Sequence, residues 1–167
     1  MAGPVELRTA AATVALGRRL ASVLRSGDLV VLSGGLGAGK TTLTQGIGRG
    51  LEVRGEVTSP TFVIARVHPS LSEGPDLVHV DAYRLGSLVE VDDLDLDASL
   101  PDAVTVVEWG AGKVEGLADD RLVVTLARAE GSTDDETRTV ALAGFGRRWA
   151  VEGAARLWVL LDPDVRH

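Results

Sequence analysis

The chain has no cysteine, three histidines and, among its 17 basic residues, only two lysines, Lys40 and Lys113. Without cysteine there is no disulfide, no thiolate zinc site, no cysteine-ligated iron–sulfur cluster and no cysteine nucleophile. His68, His79 and His167 share neither a helical face nor a close spacing, which argues against a histidine-based metal site. No apolar run approaches the length that spans a bilayer. The opening residues, Met1-Ala2-Gly3-Pro4-Val5-Glu6, lack a basic stretch followed by an apolar one, so no signal peptide is expected and the expectation is a cytoplasmic protein without membrane contact. Positive charge is also in deficit, 17 against 24 acidic residues for a net charge of −7. Such a chain does not coat a nucleic-acid backbone by charge alone. At 167 residues it is the size of one ordinary domain and buries a core without staples.

Leu16, Leu20, Val23 and Leu24 recur at three- and four-residue spacing, predicting a helix from about Thr9 to Arg25 that ends at Ser26-Gly27-Asp28. Leu29-Val30-Val31-Leu32 is a short continuous apolar run, the pattern of a strand buried on both faces. A glycine-dense loop follows, then a helix from Lys40 to about Leu51 with Leu43, Ile47 and Leu51 on one face. Further strands are expected at Phe62–Val67, Leu77–Asp81 and Ala103–Trp109. Arg121–Arg128 and Thr137–Leu142, joined by a polar link, are expected to form a hairpin. Residues 87–99 are strongly acidic, and the stretch 146–167 is expected to be a helical tail packed on a main domain of residues 1–145. The alternation, beginning strand–loop–helix, argues for an α/β class with an antiparallel C-terminal hairpin.

Gly34-Gly35-Leu36-Gly37-Ala38-Gly39-Lys40-Thr41 matches the phosphate-binding loop pattern in full, with Thr42 next. Glycines let successive backbone N–H groups turn toward one anion. The helix beginning near Gly39 adds the positive end of its dipole. Lys40 supplies a point charge for β and γ phosphates, and the Thr41 hydroxyl suits a Mg²⁺ coordination place. Such a loop needs a carboxylate from a neighbouring strand. Asp81 and Glu108 both end predicted strands, and spacing leaves open which holds the metal and which handles the attacking water. Ser59-Pro60-Thr61, between the loop helix and the next strand, is a candidate γ-phosphate sensor.

Together with Thr58-Ser59-Pro60-Thr61-Phe62, His79-Val80-Asp81-Ala82-Tyr83-Arg84-Leu85 and Val107-Glu108-Trp109, the loop makes an ordered set of blocks. Over about residues 5–127 this set resembles the TsaE family, small ATPases of bacterial tRNA threonylcarbamoyladenosine synthesis. The resemblance implies a P-loop NTPase fold, a three-layer sandwich around a mostly parallel sheet, that binds ATP with Mg²⁺. It implies work with the TsaB and TsaD proteins, with hydrolysis driving or resetting their complex and tRNA reached only through them. By position it implies that Lys40 and the loop residues Gly35, Leu36, Gly37, Ala38 and Gly39 contact phosphates, Thr41 and Glu108 hold Mg²⁺, and Thr42 meets the α-phosphate side. Asp81 would position or activate water, Ser59 and Thr61 would sit in a mobile switch segment, and Thr13 would lie near the adenine. Gly35 stands where the family has Asp, and Val80 and Ala82 stand where it has Phe and Leu.

Two other classes fit a phosphate loop. A small-molecule kinase usually closes an arginine-bearing lid, whereas the charges from Glu90 to Glu108 are all acidic. A nucleotide-dependent binding module would carry the same loop, with the acidic residues 90–97 as a docking face for a basic partner.

Overall fold

The computed structural model describes residues 2–59, 65–83, 98, 100–109, 111–112, 114–128, 136–150 and 152–161. Its seven strands are β1 (Ala2–Leu7), β2 (Leu29–Ser33), β3 (Ala65–His68), β4 (Asp76–Asp81), β5 (Ala103–Glu108), β6 (Arg121–Arg128) and β7 (Arg138–Phe145). They form one sheet in the order β1-β7-β6-β2-β5-β4-β3. The central run β6-β2-β5-β4 is parallel, and the outer pairings β1–β7, β6–β7 and β3–β4 are antiparallel. This is the α/β class expected from the alternation, with β6 and β7 as the antiparallel C-terminal hairpin.

β2 lies between β5 and β6, and its Leu29, Val30, Val31 and Leu32 are fully buried. Val30 and Leu32 point into a large core under the helices, Leu29 and Val31 into a second cluster with Val78, Val80 and Val107 on the other face. A continuous apolar run is what a strand covered on both faces requires.

Helix α1 (Ala10–Ala21) starts where the Thr9 side chain accepts from the Ala12 N–H at 3.1 Å, an N-cap. It ends four residues before the expected Arg25. Helix α2 (Lys40–Gly50) follows the glycine loop, and α3 (Glu152–Leu161) places Leu157, Leu160 and Leu161 in the same core as Leu7, Leu16 and Trp149. Arg148 ties the segment before α3 to the sheet, its Nε and Nη2 each 3.1 Å from the Asp28 carboxylate.

β1 was not expected, since Gly3 and Pro4 interrupt any strand-like alternation. Pro is compatible with an edge strand because one side needs no ladder donor, and β1 is the sheet edge, with a register irregularity between Ala2 and Val5. The described part of the strand expected at Phe62–Val67 is β3; residues 60–64 and the acidic residues 84–97 lie outside the described residues. Among those described, no helix is long and apolar enough to cross a membrane.

α1 and α2 cross at glycines. A Cβ on Gly46 would collide with the Val14 carbonyl oxygen and lie 3.0 Å from the Gly17 Cα, and one on Gly17 would lie 2.8 Å from the Ile47 nitrogen. These obstacles are backbone and cannot rotate away. Gly46→Ala therefore loses more to overpacking, about 1–3 kcal/mol, than the helix gains from Ala, about 1 kcal/mol. A lowered Tm in thermal denaturation, by roughly 2–4 °C per net kcal/mol, is the expected result.

Candidate functional site

The parallel arrangement aims the C-terminal ends of β2, β4 and β5 at one place, where ligands of open α/β sheets bind. The glycine loop leaves β2, Asp81 ends β4 and Glu108 ends β5. The register pairs Asp81 with Glu108 and Leu32 with Glu108. A cleft of 410 Å³ opens there, bordered by the loop, Ser59, Asp81, Tyr83, Glu108, Trp109 and Arg138.

The loop turns into α2 at Gly39, whose φ of 98° is left-handed and suits a residue without Cβ. Leu36 stands at its tip, 92% exposed. Lys40 is buried and folds back, its Nζ donating to the Gly34 and Gly35 carbonyls at 2.8 Å each. The same ammonium sits 3.8 Å from the Trp109 ring centroid. Burial pulls the Lys40 ammonium below the ordinary lysine value of 10.5, while the Glu108 and Asp81 carboxylates oppose that shift. Trp109 itself has a φ of 61°, uncommon for a residue with a side chain. That turn leaves its N–H donating to the Leu32 carbonyl at 3.2 Å and its ring 5.1 Å from the Tyr83 ring.

Glu108 is 3% exposed. Its Oε1 accepts from the Thr41 hydroxyl at 3.0 Å and lies 2.8 Å from His79 Nε2, while Oε2 is 3.3 Å from the same hydroxyl. A hydroxyl and a carboxylate converging beside a phosphate-type loop are hard oxygen donors. Mg²⁺ keeps several waters and takes one or two protein ligands with phosphate oxygens, so this pair fits that ion. Among the described residues no cluster of three His, Asp or Glu side chains offers a cage for a metal bound by protein alone.

Asp81 borders the cleft from the neighbouring strand β4, and its Oδ1 accepts the Tyr83 N–H at 2.9 Å. Thr42 lines the cleft and also an adjoining 80 Å³ recess with Thr13, Gly39, Glu136 and Arg138. The structure therefore brings together Leu36, Gly37, Ala38, Gly39, Lys40, Thr41, Thr42, Ser59, Asp81 and Glu108, with Thr13 one step away. Gly35 enters through its carbonyl, and a Cβ there would meet nothing within 4 Å, so space does not dictate glycine in place of Asp. Thr61 lies outside the described residues. Sequence reasoning did not find Tyr83 or Arg138 as cleft residues. Tyr83 stood in a quoted motif two residues past Asp81, a usable signal, but Arg138 reaches the site only through the antiparallel pairing of β7 with β6.

The family model for threonylcarbamoyl adenosine biosynthesis protein TsaE matches residues 7–140. The tRNA threonylcarbamoyladenosine biosynthesis protein TsaE of Streptomyces coelicolor is 70% identical over 136 residues, 81% of this chain and 92% of that one. The Bacillus subtilis protein of the same description is 35% identical over 139 residues, 82% of each chain. The crystal structure of Bacillus subtilis YdiB superposes with a TM-score of 0.68 at 28% identity, over 96% of this chain and 95% of its own. A match that takes in the loop, both acids and most of the sheet, joined to such close relatives, makes the chain a member of the TsaE family of threonylcarbamoyl adenosine biosynthesis proteins.

Proposed function

We propose that the chain is the Mg²⁺-dependent ATPase of tRNA threonylcarbamoyladenosine synthesis, hydrolysing ATP to drive or reset a complex of the TsaB and TsaD proteins. The observation that carries this reading is the contact of Thr41 with Glu108 beside the buried Lys40. The loop amides and the α2 N-terminus bind phosphate oxygens. Lys40 exchanges the Gly34 and Gly35 carbonyls for the β and γ phosphates, where its charge offsets the charge that grows in the transition state. Thr41 and Glu108 would hold the metal, which would supply positive charge that offsets the phosphate charge. Asp81 orients the attacking water, directly or through one intermediary, and takes up its proton. Thr13 and Thr42 line the recess, which neither Asp81 nor Glu108 borders, and this suits the α-phosphate and the base. The tRNA is reached through the partner proteins, in keeping with a net charge of −7.

The test is phosphate release from ATP by the chain alone and with both partner proteins. Slow release alone and faster release in the complex is the expected result. Transfer of labelled γ-phosphate to a metabolite instead of water would favour a kinase.

A further inference from the structure

We propose that His79 is a positioning residue that fixes the orientation of the Glu108 carboxylate for the metal, an inference that rests on reading Glu108 and Thr41 as the magnesium contacts. His79 lies on β4 in register with Val106 of β5, two residues before Glu108. Residues two apart share a face of a strand, so the Glu108 side chain reaches back diagonally to the imidazole. The ring is fully buried and its Nε2 is 2.8 Å from Glu108 Oε1. A carboxylate only accepts, so Nε2 carries the proton and donates.

The other ring nitrogen, Nδ1, is buried with no hydrogen-bond partner among the described residues. The imidazole is thus committed to one polar contact, with Glu108. Packing alone does not account for that choice. An apolar side chain of similar size would fill the position without burying an unpaired nitrogen. What the ring N–H supplies, and an apolar side chain does not, is a second donor to Oε1. Together with the Thr41 hydroxyl it restrains rotation of the carboxylate and leaves Oε2 facing the hydroxyl at 3.3 Å. Partners that orient a metal carboxylate raise affinity for the ion by restricting the geometries it samples.

Mn²⁺ reports this directly, through paramagnetic resonance titration of the full chain with a non-hydrolysable ATP analogue. His79→Leu keeps the volume and removes the donor, and its Mn²⁺ dissociation constant is expected to rise about 10–100-fold. Metal-free binding of the analogue should stay at the wild-type level. His79→Gln carries an amide N–H at the reach of Nε2 and is expected to restore most of the affinity. If the Leu variant does not fold, His79→Asn, whose amide stops one methylene short, replaces it and should bind Mn²⁺ more weakly than the Gln variant. Wild-type Mn²⁺ affinity in the Leu variant, or equal affinities in the Asn and Gln variants, overturns the assignment. A wild-type chain that holds no Mn²⁺ with the analogue overturns the metal reading itself and the inference with it.

Discussion

Lys40→Ala is expected to lower kcat/KM for ATP hydrolysis by about 10²–10³-fold, the usual loss when one preorganised donor to the transition-state charge is removed. The loss arises from charge and not from fold. The ammonium is held by two loop carbonyls and faces Trp109, and these carbonyls belong to a loop that solvent can reach once the side chain is gone. Lys40→Arg should not restore the rate, because a planar fork does not replace a compact ammonium between two carbonyls and a ring face. The pH dependence follows from the same burial. Desolvation puts the Lys40 value below 10.5 in the free protein. The charged form is present at low pH and is lost as pH rises through that lowered value. The rate constant kcat/KM reports free-protein groups, so its alkaline decline should begin earlier than an exposed lysine would allow and should be missing in Lys40→Ala. Steady-state kinetics across pH check both statements, and a Lys40→Ala rate within a few-fold of wild type would remove Lys40 from the mechanism.

Asp81→Asn is expected to lower kcat by about 10²–10⁴-fold, the range for a positioned general base, while nucleotide affinity changes little. The substitution keeps the shape and an oxygen that can accept from the Tyr83 N–H. What it removes is the negative charge that takes up a proton from water. Single-turnover phosphate release combined with calorimetric titration of the nucleotide separates the two effects. A variant with normal kcat and weakened Mg²⁺-dependent binding would instead make Asp81 a metal contact and reverse the roles given to Asp81 and Glu108. The geometry favours the first outcome: Thr41 touches Glu108, whereas the Asp81 contact is to the backbone of Tyr83.

The sheet centre and the phosphate loop were legible from residues 29–42 because both signals are local: a run of four apolar residues and a set of glycines before Lys-Thr. The acids were legible as strand ends, but their pairing was not. It depends on β4 and β5 being parallel neighbours in a register that sets Asp81 beside Glu108 and His79 within reach of its carboxylate. The edge strand β1 was hidden because Gly3 and Pro4 suppress a strand pattern that only pairing with β7 supplies. Glycine within a helix costs about 1 kcal/mol relative to Ala, and nothing in the sequence signals why α1 and α2 carry it. In the fold Gly17 and Gly46 let the two backbones touch, which sets Thr13 beside Gly39 and Thr42. Arg138 reached the cleft by topology alone, with no motif around it.

The scarcity of lysine acquires a meaning from this site. One of only two lysines stands where a small charge must fit beneath an indole ring and between carbonyls. The measurement that tests the account most directly is phosphate release from Mg²⁺-ATP by wild type and Lys40→Ala, each alone and with the TsaB and TsaD proteins. The account predicts slow release by wild type alone, faster release in the complex, and loss of both in the variant. Equal rates for wild type and Lys40→Ala under both conditions would contradict it.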